Sequence, residues 1–190
     1  MKKIFLLLSV LFSSLTMLAG SDVDFVKGNA CIMNEAATCT IEANYTDLFI
    51  EGKPYLEHMK EKGGTSLKDW EDDVRRAVDE FIKEWNGHNK KGLRLTVDKS
   101  AANTYRMVIK MKKLNFGSSA ASMFIGFGAG GAQLVADIMI YKGKDEVTRL
   151  KTDGVNGGSG ISETSRMRDL FEEFAEDTVK TLKTACKAQR

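Results

Sequence analysis

The chain has 190 residues, 43% of them hydrophobic and 28% charged, which is the length and composition of one globular domain. Its formal net charge is +2, but two of the 28 basic residues, Lys2 and Lys3, lie in a leader that we expect to be removed, and no acidic residue lies there. The remaining 26 basic and 26 acidic residues balance, which excludes the concentrated basic face on which nucleic-acid binding depends.

The first twenty residues have the layout of a secretory signal peptide. Met1–Lys3 is positively charged, Ile4–Leu18 is apolar, and the small residues Ala19–Ser21 follow. The apolar stretch is shorter than the roughly 20 residues of a membrane span, although a retained anchor helix is the alternative interpretation. We predict a signal peptide over residues 1–20 and one α+β domain over residues 21–190, exported and soluble in the periplasm or secreted.

The first long helix is predicted in the middle of the chain. Thr38–Ile50 has a strand composition, and a turn-rich or short helical connection follows it up to Gly64. Thr65 or Ser66 can cap the helix, and Gly87 is a natural stop. Its apolar residues recur at a spacing of three and four, which predicts one buried face: Leu67, Trp70, Val74, Val78, Phe81 and Trp85.

Alternating strands fill the second half of the chain. Leu93–Val97, Tyr105–Leu114 and Leu134–Tyr141 each alternate between apolar and polar positions, and a short turn leads into Glu146–Lys151. Short turns between consecutive strands indicate a largely antiparallel sheet. A second amphipathic helix begins near Ser162. We therefore predict an α+β fold with a largely antiparallel sheet and two amphipathic helices packed on one face.

The chain has three cysteines beyond the leader. Export to an oxidising compartment permits a disulfide, and a bond between Cys31 and Cys39 would close a short loop. The alternative is that all three are small buried residues, Cys186 above all, because it continues the apolar stripe of the last helix. No C-x-x-C motif is present, and His58 and His88 are isolated, so we predict no metal site and no cofactor.

Residues 114–136 contain no charged residue. The glycine run at 126–131 precedes a strand and not a helix, so it does not predict a nucleotide site. The stretch is either a buried strand or hairpin corner, or an exposed apolar loop that contacts a partner protein or a membrane. The second interpretation predicts a partner-binding site at four consecutive or nearly consecutive apolar residues: Met123, Phe124, Ile125 and Phe127.

Catalytic motifs are scarce. The chain has no G-x-S-x-G nucleophile elbow, and its adjacent carboxylates on the predicted helices point in different directions. We predict a protein without catalytic residues. The alternative is a hydrolase whose site assembles from scattered residues such as His88, Ser118 and Asp137.

Four segments carry a family resemblance: Ser66–Trp70, Asn89–Leu93, Leu114–Gly117 and Val155–Arg166. Together they resemble an uncharacterised family of small exported proteins of Gram-negative anaerobes. More loosely, the order of glycine-rich segment, two strands, glycine loop and helix is similar to envelope lipoprotein-type domains of unknown function, and to α/β domains of the TolB N-terminal and CsgG type. The resemblance implies an envelope location and a compact α+β fold. The chain departs from the lipoprotein pattern because Ser21 stands where the lipidated cysteine would be.

Together these features predict a non-catalytic exported protein of the cell envelope, a binding or assembly module for another envelope protein. A membrane-contacting or oligomerising protein that uses residues 114–136 is a further alternative. The sequence leaves the oligomeric state open.

Overall fold

The computed structural model describes residues 22–62, 66–100, 103–117, 131–157 and 160–190. Within these residues the chain forms eight β-strands, three α-helices and one 3₁₀ helix, which confirms the α+β prediction. The strands are β1 (Val23–Gly28), β2 (Thr38–Asn44), β3 (Phe49–Ile50), β4 (Lys53–Pro54), β5 (Arg94–Thr96), β6 (Tyr105–Asn115), β7 (Ala132–Lys142) and β8 (Asp145–Gly157). The helices are α1 (Tyr55–Lys62), α2 (Ser66–His88), α3 (Glu163–Ala188) and the 3₁₀ helix Ala30–Asn34.

The strands form one mixed sheet in the order β1-β8-β7-β6-β2-β5. The long pairs β6–β7, β7–β8 and β8–β1 are antiparallel, and β7 and β8 are joined by the short turn that the sequence predicts. β2 is parallel to both β5 and β6, and β3 continues beside β6 where β2 ends. Parallel neighbours need a long crossover, and α1 and α2 lie in the crossover between β2 and β5.

The long strands have the alternation that their sequences predict. In β6, Met107, Ile109 and Met111 are fully buried, while Arg106 on the opposite face is exposed. β7 alternates in the same way, and its core residues are Leu134, Ala136, Ile138 and Ile140. The core face of the sheet is therefore set by the two-residue period of these strands.

α2 and α3 pack against each other and against different strands. The rings of Phe81 in α2 and Phe174 in α3 meet edge to face at 5.5 Å between centroids. α2 contacts β2 and β5, whereas α3 contacts β1, β7 and β8. The predicted apolar face of α2 is buried from Trp70 to Trp85, but Leu67 in the first turn is 48% exposed.

The disulfide joins Cys31 and Cys186, so the predicted Cys31–Cys39 bond is wrong. Cys31 lies in the 3₁₀ helix, which contacts the last turns of α3, and the two Cα atoms are 4.7 Å apart. Cys39 is a fully buried residue of β2, and burial raises the pKa of its thiol to about 12. A side chain inside the sheet core cannot reach the 3₁₀ helix, whereas the end of α3 lies beside it.

The side chain of Gln189 strengthens the same junction. It donates a hydrogen bond to the Gly28 carbonyl (2.9 Å) and accepts one from the Ala30 amide (3.0 Å). Together with the disulfide, these bonds attach the segment after β1 to the carboxyl end of α3.

A candidate binding surface at one end of the sheet

The end of the sheet where β6 ends and β7 begins is bordered by segments that carry exposed apolar side chains. Of the six large hydrophobic side chains exposed in the described residues, Val26 and Val97 lie elsewhere. Phe49 pairs with Lys113 at the end of β6, and Ile161, which is 86% exposed, lies between β8 and α3. We call the following four residues the apolar pole: Phe49, Leu56, Leu67 and Ile161.

A buried arginine joins the segments that meet at this pole. Arg166 is only 3% exposed, and its Nε donates to the Gly160 carbonyl at 2.6 Å. Its Nη1 donates to the carbonyls of Phe116 (2.7 Å) and Gly117 (3.2 Å). The guanidinium therefore fixes the end of β6 against the start of α3. Sequence reasoning missed this residue, although its place among the buried positions of the helix was a signal.

The first turn of α3 is closed by its own side chains. The Ser162 hydroxyl accepts a hydrogen bond from the Ser165 amide at 3.1 Å, and the Ser165 hydroxyl accepts one from the Ser162 amide. This capping box satisfies two amide groups that would otherwise be free at a helix start. The predicted beginning of the last helix near Ser162 is confirmed.

Two contacts attach α1 and α2 to the same place. Lys62 of α1 forms an ion pair with Glu163, and its ammonium lies 5.8 Å from the centre of the Phe116 ring. The Thr164 hydroxyl donates to Asp73 of α2 at 3.1 Å. Three helices and the end of β6 thus converge at the apolar pole.

The four residues predicted to bind a partner, Met123, Phe124, Ile125 and Phe127, lie outside the described residues. Both ends of the uncharged stretch 114–136 are described. Leu114 and Leu134 are paired in the β6–β7 ladder, and both are buried, as is Ala136. The described ends of the stretch therefore belong to the core at the end of the sheet where β6 ends and β7 begins.

A polar cleft of about 330 Å³ lies at the opposite end of β6. Glu42 forms ion pairs there with Arg106 at 3.0 Å and with Lys99 at 3.5 Å. Asn103 donates to the Thr40 hydroxyl at 2.6 Å. The cleft has the size of a small-ligand pocket, but its charged groups already pair with one another.

The described residues named for the hydrolase alternative lie in different elements and have different partners. His88 at the end of α2 pairs with Glu84, at 2.5 Å between Nε2 and Oε1. Asp137 in β7 accepts a hydrogen bond from Lys112 at 2.7 Å, and Ser118 lies outside the described residues. The structure thus places His88 and Asp137 with other partners and does not bring them together.

No group of three or more histidine, cysteine or acidic side chains is arranged to hold a metal ion in the part of the chain that the structure describes. None of the helices described has the length and hydrophobicity needed to cross a membrane.

Comparison with known proteins yields structural neighbours only. No protein-family model matches the chain, and no curated protein matches it in sequence. Among solved structures it is similar to a PelC dodecamer from Paraburkholderia phytofirmans, with 9% identity over 84% of this chain and 96% of that chain and a TM-score of 0.46. A single-substitution variant of that PelC, also a dodecamer, has 11% identity over 82% and 96% of the two chains and a TM-score of 0.46. Similarity at this level assigns no function.

Proposed function

We propose that the protein is an exported, non-catalytic component of the cell envelope that binds another envelope protein through the apolar pole. The observation that carries this proposal is the position of the exposed hydrophobic side chains. Four of the six in the described residues lie on β3, α1, the first turn of α2 and the segment before α3, and the contacts of Lys62, Thr164 and Arg166 link these elements to the end of β6. Exposed apolar patches are typical of interaction sites, and a partner that covers these side chains would remove them from water.

The contact residues of this proposal extend into the stretch itself. Met123, Phe124, Ile125 and Phe127 would add their apolar side chains to Phe49 and Ile161, and a partner would cover both sets. We also propose that α2 and α3 cover the same face of the sheet, because they pack on each other and their contacts reach strands from β1 to β5.

The disulfide supports the export part of the proposal. Disulfides form in exported proteins and are rare in the reducing cytosol, and the Cys31–Cys186 bond joins residues 155 positions apart. A cleaved leader over residues 1–20, followed by one soluble domain over residues 21–190, accounts for the bond. The resemblance to small exported envelope proteins supports the same location.

The test is in-cell photo-crosslinking from Ile161, whose side chain is 86% exposed. The full chain with its leader is produced in its host with a photoreactive residue at position 161, and the crosslinked products are identified by mass spectrometry. We expect one envelope protein to account for most of the crosslinked product. Replacing both Phe124 and Phe127 with serine should abolish this product and leave the thermal midpoint of the purified protein unchanged. The matched control replaces Val26 and Val97, which are exposed away from the pole, and should leave the crosslink in place.

Each contrary outcome contradicts a different part of the proposal. If the double serine variant unfolds, Phe124 and Phe127 belong to the core and the binding site is lost. Crosslinks to lipid would favour membrane contact, and crosslinks between two copies would favour self-association through residues 114–136.

A further inference from the structure

α1 is a short helix whose polar contacts with neighbouring segments lie near its two ends. Its first amide, that of Tyr55, donates to the Leu48 carbonyl at 2.9 Å. Near its last turn, Glu61 accepts from Lys53 at 2.7 Å, and Lys62 pairs with Glu163 of α3. Exposed ion pairs of this kind contribute little to stability, so the docking of α1 depends on the side chains beneath it.

Two side chains of α1, His58 and Met59, are buried. His58 is 9% exposed, and its Nε2 has no hydrogen-bond partner among the described residues. A neutral imidazole can leave one nitrogen unprotonated, but a protonated imidazole has two N–H donors. Protonation would therefore place a charged donor at a buried position without an acceptor, which is strongly unfavourable.

Charged groups from three elements act on His58. Burial lowers its pKa most, and Lys62 in the same helix lowers it further. Glu163 in α3, Glu51 in the turn between β3 and β4, and Glu61 in α1 oppose this shift but do not reverse it. α2 also packs against α1, and none of its described residues adds a charge to this set.

We propose that α1 is a pH-sensitive latch, docked on the pole while His58 is neutral and released when His58 binds a proton. A histidine whose folded pKa is lowered contributes full docking stability above its ordinary value of about 6.5, and the stability is lost as the pH falls below that value. Release uncovers Met59 and the neighbouring Ile50 of β3, both buried in the docked state. Mild acid thus enlarges the apolar surface at the pole. The latch does not depend on the proposed partner, because it is a property of the isolated chain.

Hydrogen exchange of the full chain at about pH 7.5 and about pH 5, corrected for the intrinsic effect of pH on exchange, tests this directly. Residues 55–62 should exchange several-fold faster at the lower pH, while residues 66–88 of α2 keep their protection. His58→Phe, which removes the titrating group and fills its place, should abolish the difference. His88→Gln changes the other histidine, which pairs with Glu84 on α2, and should retain it.

Three results would overturn the latch. The first is equal exchange of α1 at both pH values. The second is the same acid response in His58→Phe, which would assign the response to carboxylates. If the Phe variant does not fold, His58→Gln replaces it with the same expectation. In the unsubstituted chain, the midpoint of α1 opening must also coincide with the titration of the His58 imidazole followed by NMR, and a mismatch contradicts the proposal.

Discussion

A single buried cation, Arg166, joins the segments that form the candidate surface. Each of its described partners is a backbone carbonyl, and these carbonyls belong to Gly160, Phe116 and Gly117. Carbonyl dipoles can stabilise a guanidinium because it presents five N–H donors in a planar fork. A lysine at this position would supply the positive charge but not the planar set of N–H donors that contacts carbonyls of two segments at once.

We expect Arg166→Met to lower the free energy of unfolding by about 2–4 kcal/mol, because buried carbonyls lose a charged donor. Urea denaturation followed by circular dichroism measures the change. The matched control is Arg168→Met, two positions away, where an exposed guanidinium pairs with Glu80 and the loss of stability should be much smaller. An equal decrease in the free energy of unfolding in both variants would show that the carbonyl contacts of Arg166 stabilise the fold no more than an exposed ion pair does.

For single residues, sequence patterns predict which side chains are buried better than they predict which residues form hydrogen bonds or disulfides with them. The two-residue period of β6 identifies Met107 and Ile109 as core residues correctly. The helical period places Arg166 among the buried positions of α3 but cannot identify its hydrogen-bond partners, since these come from segments about 50 and 6 positions away. Cys39 shows the converse: proximity in sequence to Cys31 suggested a bond, but the strand turns its side chain into the core.

At the scale of elements, the long amphipathic helices and long strands were predictable and the short elements were not. α2 and α3 have enough turns for a clear apolar stripe. β3 and β4 have two residues each, and they exist because β6 and the turn between them supply hydrogen bonds. The parallel pairing of β2 with β5 and β6 has no signature in any one strand. The apolar pole could not be predicted as a surface for the same reason, since its members come from four separate segments.

The link between the 3₁₀ helix and α3 gives a prediction at this scale. Replacing both Cys31 and Cys186 with serine should lower the free energy of unfolding by about 2–5 kcal/mol, because the unfolded chain loses the crosslink that restricts it. Cys39→Ala should leave the bond intact and cost less than the double change, since only a small buried side chain is trimmed. Denaturation under non-reducing conditions measures all three proteins. Peptide mapping without reduction should recover the Cys31–Cys186 pair, and a peptide joining Cys31 to Cys39 would contradict the structure.

The charges of the whole molecule are arranged to cancel locally. On the sheet face opposite the core, Arg106 pairs with Glu42 and Lys112 pairs with Asp137. Glu146 of β8 contacts Lys27 on the neighbouring strand β1 and Arg149 in its own strand. Cross-strand ion pairs of this kind leave a polar, nearly neutral surface. The apolar pole is therefore the described surface that differs most from its surroundings, which is why we assign the partner to it.

For the whole chain, we expect export and formation of the Cys31–Cys186 disulfide to occur together. If residues 1–20 are a signal peptide, protein recovered from the envelope should begin near Ser21 and contain the Cys31–Cys186 bond. Protein produced in the cytosol without the leader should carry both thiols in reduced form. N-terminal sequencing and intact-mass measurement before and after thiol alkylation give the two readouts. Replacing Lys2 and Lys3 with glutamate reverses the charge before the apolar stretch and should retain the precursor in the cytosol, with its thiols free. An intact Met1 on the native protein in the cytosol would contradict the export proposal and leave the description of the fold unaffected.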